Sequence, residues 1–341
     1  MDRTARRAGR QLSSLMFSIR RMSTDDKPAL LEIASRIWEG SDYLPGVFDE
    51  WVTDTRGEFA AVLLDGRLVG CGKLTFLTDT DAWLEGLRKD PRVPETGLGR
   101  AVAGHFLTLL AARRDLTSVR FSTYVKNRAS IVTNERLGFR VRTVLSVKRW
   151  QGSRIDLAGP GMRERAARSA SRMEVGTIRD ERVIVDFLQR SGYFEGTQGL
   201  MVEGWRVLPF TAARFVERYG QTGACRGASR GDGLAGLAAR VSVRRPGRTG
   251  VKLVFLDAAD DDTAGALLDD AFRGLAETHG EGAEEGETCE IEWIVPPGER
   301  FRRWSGSHAL ASWEQEDDFL VYELPLETLG RYAADEKGDR Q

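Results

Sequence analysis

The chain has 341 residues, 41% apolar and 30% charged, with 50 basic against 51 acidic side chains. That length exceeds what one hydrophobic core usually organises and implies two domains, while the balanced charge excludes a global field for nucleic acid or an anionic membrane. No apolar run reaches the roughly 20 residues of a membrane-spanning helix. The odd, scattered Cys71, Cys225 and Cys289 fit reduced thiols in a cytoplasmic protein rather than a disulfide framework or a metal site.

Residues 1–16 carry Arg3, Arg6, Arg7 and Arg10 without the apolar stretch of a secretory signal, and read as a disordered tail. From Phe17 to Trp150 helical and strand patterns alternate over short connections, the pattern of an α/β domain. Thr24-Asp25-Asp26 can cap a helix carrying Leu30, Ile33, Ala34 and Ile37, and a short second helix follows Pro45 to Trp51. Phe59–Leu64 and Leu68–Phe76 flank Asp65-Gly66, a pair suited to a type I′ hairpin turn. Trp83–Lys89 reads as a strand, Gly97–Arg113 as a helix, Ser118–Val125 as a strand, Ala129–Leu137 as a helix and Arg140–Trp150 as a closing strand.

Between 151 and 172 the composition turns to Gly, Ser, Ala and Arg, as in a linker. The element order then begins again. Strand Met173–Ile178, helices Asp180–Arg190 and Pro209–Tyr219, strands Leu234–Val243 and Val251–Leu256, helix Thr263–Glu277 and strands Cys289–Val295 and Phe319–Leu324 fill a second domain, 173–328, before a disordered tail, 329–341. Repetition of one order at half the chain length suggests duplication.

The sharpest local feature is the strand ending in Leu87-Arg88-Lys89, the loop Asp90–Thr96, and Gly97-Leu98-Gly99-Arg100 opening a helix. A glycine turn from strand into helix aims several backbone N–H groups and the positive helix end at one spot, as a diphosphate site requires. A dinucleotide fingerprint would want Gly or Ala at Val102, and a P-loop at Gly72-Lys73 would want Ser or Thr at Leu74. Both are excluded.

Downstream stands Asn127-Arg-Ala-Ser130, then Asn134 and Leu137-Gly138-Phe139. Together the two segments resemble the GNAT acetyltransferase superfamily, over Phe17 to Trp150. The resemblance implies tandem GNAT-like domains of α/β (α+β) class, each a mixed, mostly antiparallel sheet flanked by helices, with acetyl-CoA as co-substrate and no metal. It assigns cofactor binding to Leu87, Arg88 and Lys89, whose strand edge pairs with the pantetheine arm, to Pro94, Glu95, Thr96, Gly97, Leu98, Gly99 and Arg100 around the diphosphate, and to Asn127 and Ser130 along the arm. Pro94 stands where the family usually has Arg or Gln, so Arg92 or Arg100 is expected to supply charge. Asn134 holds a position where the family often has a Tyr acid.

An amine must be neutral to attack a thioester, so a base is needed. Glu85 is the candidate, placed by strand alternation on one face with Trp83 and Leu87; a solvated strand carboxylate or a structural salt bridge is the competing role. Ile37–Pro45 with Leu84–Arg88 looks like the histidine N-acetyltransferase-like branch, whose members carry a diverged second half. By that likeness Trp38, Asp42 and Tyr43 are substrate contacts, an Asp beside aromatic rings suiting an ammonium; packing and helix capping are their alternative roles. The second domain's equivalent loop, Asp257–Thr263, is acidic and lacks the glycine pair, so it is expected to hold no cofactor. The expected reaction is acetyl transfer to the primary amine of a small molecule, an amino acid such as histidine first, by a monomer or homodimer that binds neither nucleic acid nor membrane. Acetylation of a protein N-terminus or lysine and a non-catalytic acyl-CoA sensor are the alternatives.

Overall fold

The structure, a computed structural model, describes residues 17–157, 173–231, 233–245, 247–280 and 287–333. The expected tail 1–16, residues 158–172 of the expected linker and residues 334–341 lie outside the described residues. Two compact units divide the chain: Met1–Val141 with Val321–Gln341, and Arg142–Leu320.

In the first unit Ser23 and Asp26 form a capping box on the 3-10 turn Thr24–Asp26, which leads into helix α1 (Lys27–Ala34) with Pro28 in its first turn. Helix α2 (Leu44–Thr53) likewise opens on Pro45. The apolar faces of both helices, with strands β2 (Glu58–Leu64) and β3 (Arg67–Phe76), bury Met22, Leu30, Ile33, Leu44, Phe48, Trp51, Phe59 and Cys71 in one cluster. Each fully buried large apolar side chain contributes roughly 1.5–3 kcal/mol. At the β2–β3 turn Asp65 and Gly66 have φ of 49° and 78°, as a type I′ turn demands.

Strand β1 (Ser18–Arg21) pairs with β2, and β4 (Asp81–Lys89) pairs antiparallel with β3. Helix α3 (Leu98–Ala111) then carries the chain to β5 (Ser118–Tyr124), which is parallel to β4. Leu98, Val102, Phe106 and Leu110 are the buried stripe of α3. Helix α4 (Arg128–Leu137) follows. The strand order is β1-β2-β3-β4-β5, and next to β5 comes the C-terminal strand Phe319–Glu323.

That last strand changes the expected bounds. Its Val321–Glu323 portion belongs to the first unit: Tyr322 stacks on Phe121 at 5.0 Å, Arg120 Nε donates to Glu323 Oε2 at 2.5 Å, and Leu324 N–H donates to Val119 O at 2.9 Å. The expected tail from 329 begins as helix Leu326–Ala333, because Leu329 is buried and Tyr332 Oη donates to Leu137 O at 2.8 Å.

The second unit takes Arg142 onward of β6 (Arg140–Gly152), a strand expected to close the first domain. Residues Ser146–Gly152 pair antiparallel with β13 (Thr288–Val295). Before it lie β7 (Val175–Thr177), α5 (Glu181–Arg190) capped by Asp180, the short helix Tyr193–Gly196, and the hairpin β8 (Leu200–Glu203) and β9 (Arg206–Pro209). Then come β10 (Cys225–Arg230), β11 (Gly233–Arg245), β12 (Arg248–Ala258), α6 (Asp261–Gly280) and, after β13, α7 (Glu299–Ser307). The strand order is β6-β13-β12-β11-β10-β7. The helix expected at Pro209–Tyr219 is shorter, Ala212–Phe215 running into π-type Val216–Gly220, since Pro209 ends a strand. Among the described residues no helix is long and apolar enough to cross a membrane, and no group of three or more His, Cys, Asp or Glu side chains is placed to hold a metal ion.

Candidate active site

Strand β4 sets the geometry. Gly70 and Cys71 of β3 face Lys89 and Arg88, and Lys73 faces Glu85, so Gly86 and Leu87 together stand opposite Gly72. This two-against-one arrangement is a β-bulge. Gly86 carries it at φ 64°, and a Cβ there would lie 2.4 Å from the Trp51 ring.

The bulge resets the side-chain alternation. Partners across a ladder share a face, so Glu85 lies with Lys73, and Arg88 with Cys71, toward α1 and α2. Leu87 turns instead to α3, its Cδ2 3.2 Å from where a Cβ on Gly99 would sit. Glu85 therefore shares its face with Trp83 and Arg88; the expected grouping with Leu87 is corrected.

Ahead of the bulge β4 already loses its second neighbour. The parallel pairing with β5 covers only Asp81–Ser118, Ala82–Val119 and Trp83–Arg120, and past Trp83 the strands part. Asp90 N–H donates to Val69 O at 2.8 Å, so by ladder alternation the backbone groups of Lys89 point away from β3. Beside this edge α3 begins. Gly97, its N-cap, has φ 97° with nothing within 4 Å of its Cβ position, and the first turn holds no acidic residue. Arg100 is exposed there, and neither Arg100 nor Lys89 makes an ion pair among the described residues. A cation in the first turn of a helix opposes the dipole unless an anion joins it.

Pro94, Glu95 and Thr96 lie in the irregular loop leading to Gly97, with Leu98 buried beneath. Arg92 does not serve the anion site: it is forked onto Asp90 (Nη2 to Oδ2 2.8 Å) and donates to Glu32 Oε1 at 2.9 Å. Asn127 caps α4, its Oδ1 accepting from Ser130 N–H at 3.2 Å. Asn134 is buried and donates to Ser130 O at 2.9 Å and Ser130 Oγ at 3.3 Å, a tie within α4 with no proton to give a thiolate.

On the other face Glu85 is half-buried and accepts from Thr75 Oγ1 at 2.6 Å. Lys73 is buried, pairs with Asp54 and donates to Leu74 O at 2.9 Å; burial pulls its pKa below the ordinary lysine value. The loop between α1 and α2 supplies the opposite wall. Asp42 is fully buried and held in a fork by Arg88, Nε to Oδ2 at 2.8 Å and Nη2 to Oδ1 at 2.9 Å, while its Oδ1 also caps Leu44 N–H at 3.2 Å. The Arg88 guanidinium lies 4.4 Å from the Trp38 ring centroid and 5.0 Å from that of Tyr43. An ammonium expected at Asp42 thus meets a carboxylate already taken by an internal cation. Burial raises the Tyr43 phenol above its usual pKa, so it is protonated at neutral pH. The Cys71 thiol, buried and pushed up to about 12, is no nucleophile.

In the second unit the corresponding place is filled. β12 and β13 pair in parallel over Arg248–Leu253 and Thr288–Trp293 and then diverge. Buried Tyr193 donates its hydroxyl to Ile294 O at 3.2 Å and packs on Phe255 (4.9 Å) and Phe301 (5.7 Å). The acidic loop binds itself: Asp260 accepts from Thr263 N–H at 2.8 Å, Asp261 from Arg303 and Trp304, and Asp257 from Ser191 at 2.5 Å.

Residues 20–139, most of the first unit, match the family model described as Acetyltransferase (GNAT) family. Over that stretch the first unit is similar to the GNAT acetyltransferase family. Acetyl-CoA is the co-substrate of that family, and the parted β4 edge beside the Gly97 mouth fits a strand-like arm ending in a diphosphate. Among solved structures, a GCN5-related N-acetyltransferase from Sphaerobacter thermophilus aligns over 91% of this chain and 96% of its own at 14% identity, with a TM-score of 0.60. A tandem GNAT protein from the clavulanic acid biosynthesis pathway aligns over 91% and 98%, also at 14% identity, with a TM-score of 0.55. At such identities the likeness is one of fold: tandem GNAT-like units in one chain. No curated protein matches the sequence.

Sequence reasoning missed three contributors. The side chain of Arg88, Lys73 beside Glu85, and the Thr75 hydroxyl left no motif, although Gly86 inside a strand is a signal for the bulge that arranges all three.

Proposed function

We propose that the chain is an acetyl-CoA-dependent N-acetyltransferase acting on the primary amine of a small molecule. The observation that carries the reading is that the pairing of β4 with β5 ends at Trp83, while β4 runs on to Lys89 and to an open helix mouth flanked by Lys89 and Arg100. Backbone groups of Leu87 and Lys89 pair with the pantetheine amides, and the N–H groups following Gly97 receive the diphosphate. On the opposite face Glu85 accepts a proton from the acceptor ammonium. The freed amine attacks the thioester carbonyl, forming the C–N bond; the C–S bond breaks to release coenzyme A as thiolate, and the second proton of the attacking nitrogen passes to solvent or to that thiolate, leaving a neutral amide. A thiol pKa of roughly 8.5 lets that thiolate leave without a dedicated acid, consistent with Asn134 being tied to Ser130.

The resemblance to the histidine N-acetyltransferase-like branch makes amino acids, histidine first, the leading acceptors. The test is thiol release from acetyl-CoA against a panel of amino acids, polyamines and peptides with free N-termini. A small amine that raises release well above hydrolysis supports the proposal. Preference for peptides would move the function to protein acetylation, and tight acetyl-CoA binding without release for any amine would make the protein a sensor.

A further inference from the structure

The same guanidinium touches both sides of the site. Arg88 holds the acceptor loop through its fork onto Asp42 and its stacking against Trp38 and Tyr43, and its Nη1 also donates to the Leu87 carbonyl at 2.9 Å. Leu87 lies on β4 past the end of its pairing with β5, in the part of the strand proposed as the co-substrate's partner. The held loop is not relaxed. Trp38 and Glu39 sit at φ 47° and 56°, a left-handed backbone that a bulky residue adopts only under constraint. Such a segment keeps its shape only while its clamps hold.

We propose that Arg88 is a positioning residue that couples occupancy of the β4 edge to the conformation of the acceptor loop, residues 38–44. The inference rests on the reading of the β4 edge as the acetyl-CoA arm's site. A pantetheine amide arriving at the Leu87 carbonyl competes with Nη1 for that oxygen. With Nη1 displaced, the guanidinium loses the bond that fixes its orientation against the strand. Its stacking under Trp38 weakens, and the strained loop relaxes outward on the side where the acceptor enters. Thermodynamic reciprocity follows: whatever tightens the loop onto Arg88 weakens binding at Leu87.

The experiment is hydrogen–deuterium exchange of the full chain, free and with acetyl-CoA at a concentration shown by titration to saturate it. In the unaltered protein the amides of 38–44 are expected to exchange at least threefold faster with acetyl-CoA bound, while those of β2 and β3 do not accelerate. In Arg88→Gln the loop is expected to exchange fast in both states, so the response to acetyl-CoA disappears. Asp42→Asn, which cuts the clamp from the loop side and nearly keeps its shape, is expected to do the same and carries the test if Arg88→Gln does not fold. A loop that binding leaves unchanged or slows, or variants that still respond, overturn the inference. Failure of the unaltered protein to bind acetyl-CoA at all overturns instead the reading on which it rests, and the inference with it.

Discussion

At the scale of single residues the account assigns distinct tasks to neighbours on one strand. Glu85 receives a proton, so Glu85→Gln is expected to lower turnover by about 10²–10⁴-fold with the best acceptor of the panel, while a calorimetric titration still registers acetyl-CoA. Equal loss of both would make Glu85 structural. Gly86 has another burden: its φ of 64° and the Trp51 ring 2.4 Å from a built Cβ leave no room for a side chain. Gly86→Ala combines a left-handed backbone penalty of about 1–2 kcal/mol with overpacking of about 1–3 kcal/mol. A urea-denaturation midpoint little changed from that of the unaltered protein would contradict the bulge geometry. Glu85 was legible in the sequence as a strand carboxylate on the face of Trp83, but the facing of Leu87 was not, because simple alternation fails wherever an extra residue enters a ladder. Asp42 was legible as a polar residue among aromatics. Its partner was not, since Arg88 is 46 positions away and only the fold brings it near.

Among elements, the start of α1 shows how electrostatics fastens local structure. Asp26 closes a capping box and takes two 2.7 Å bonds from Arg20 of β1, and the arginine bonds hold its carboxyl down to about 2. A carboxyl depressed in the folded state stabilises it fully above the unfolded pKa of about 3.9, and the contribution is lost as pH falls through about 2. Acid titration of stability should therefore show a loss between about pH 4 and 2 that Asp26→Asn removes; an unchanged acid limb in that variant would contradict the pairing. Elements of the first unit were readable in advance because each has its own punctuation: Pro28 and Pro45 near helix starts, Asp65-Gly66 at the hairpin, Gly97 and Asn127 at helix mouths. In the second unit the short helix at Tyr193 and the β8–β9 hairpin went unread. Each is only four residues per element, too short for periodicity to speak, and the helix at Tyr193 is held by the aromatic packing of Tyr193, Phe194 and Phe255.

On the scale of the whole chain, duplication was visible in the repeated order of elements, but which unit owns which strand was not. β6 follows the first unit in sequence, yet its residues from Arg142 belong to the second, and the last described strand, from Val321, and the helix after it return to the first. Strand ownership is decided by long-range pairing, which leaves no local trace in composition. The two units also differ in what occupies the space between their diverging parallel strands: open backbone edge in the first, the Tyr193 ring and hydroxyl in the second. Of these two places the first, and not the second, is expected to receive the co-substrate. Isothermal titration of the intact protein with acetyl-CoA decides this: one site per chain is expected, weakened by Gly97→Asp, whose carboxylate would face the diphosphate. No binding, two sites per chain, or one site indifferent to Gly97→Asp would contradict it.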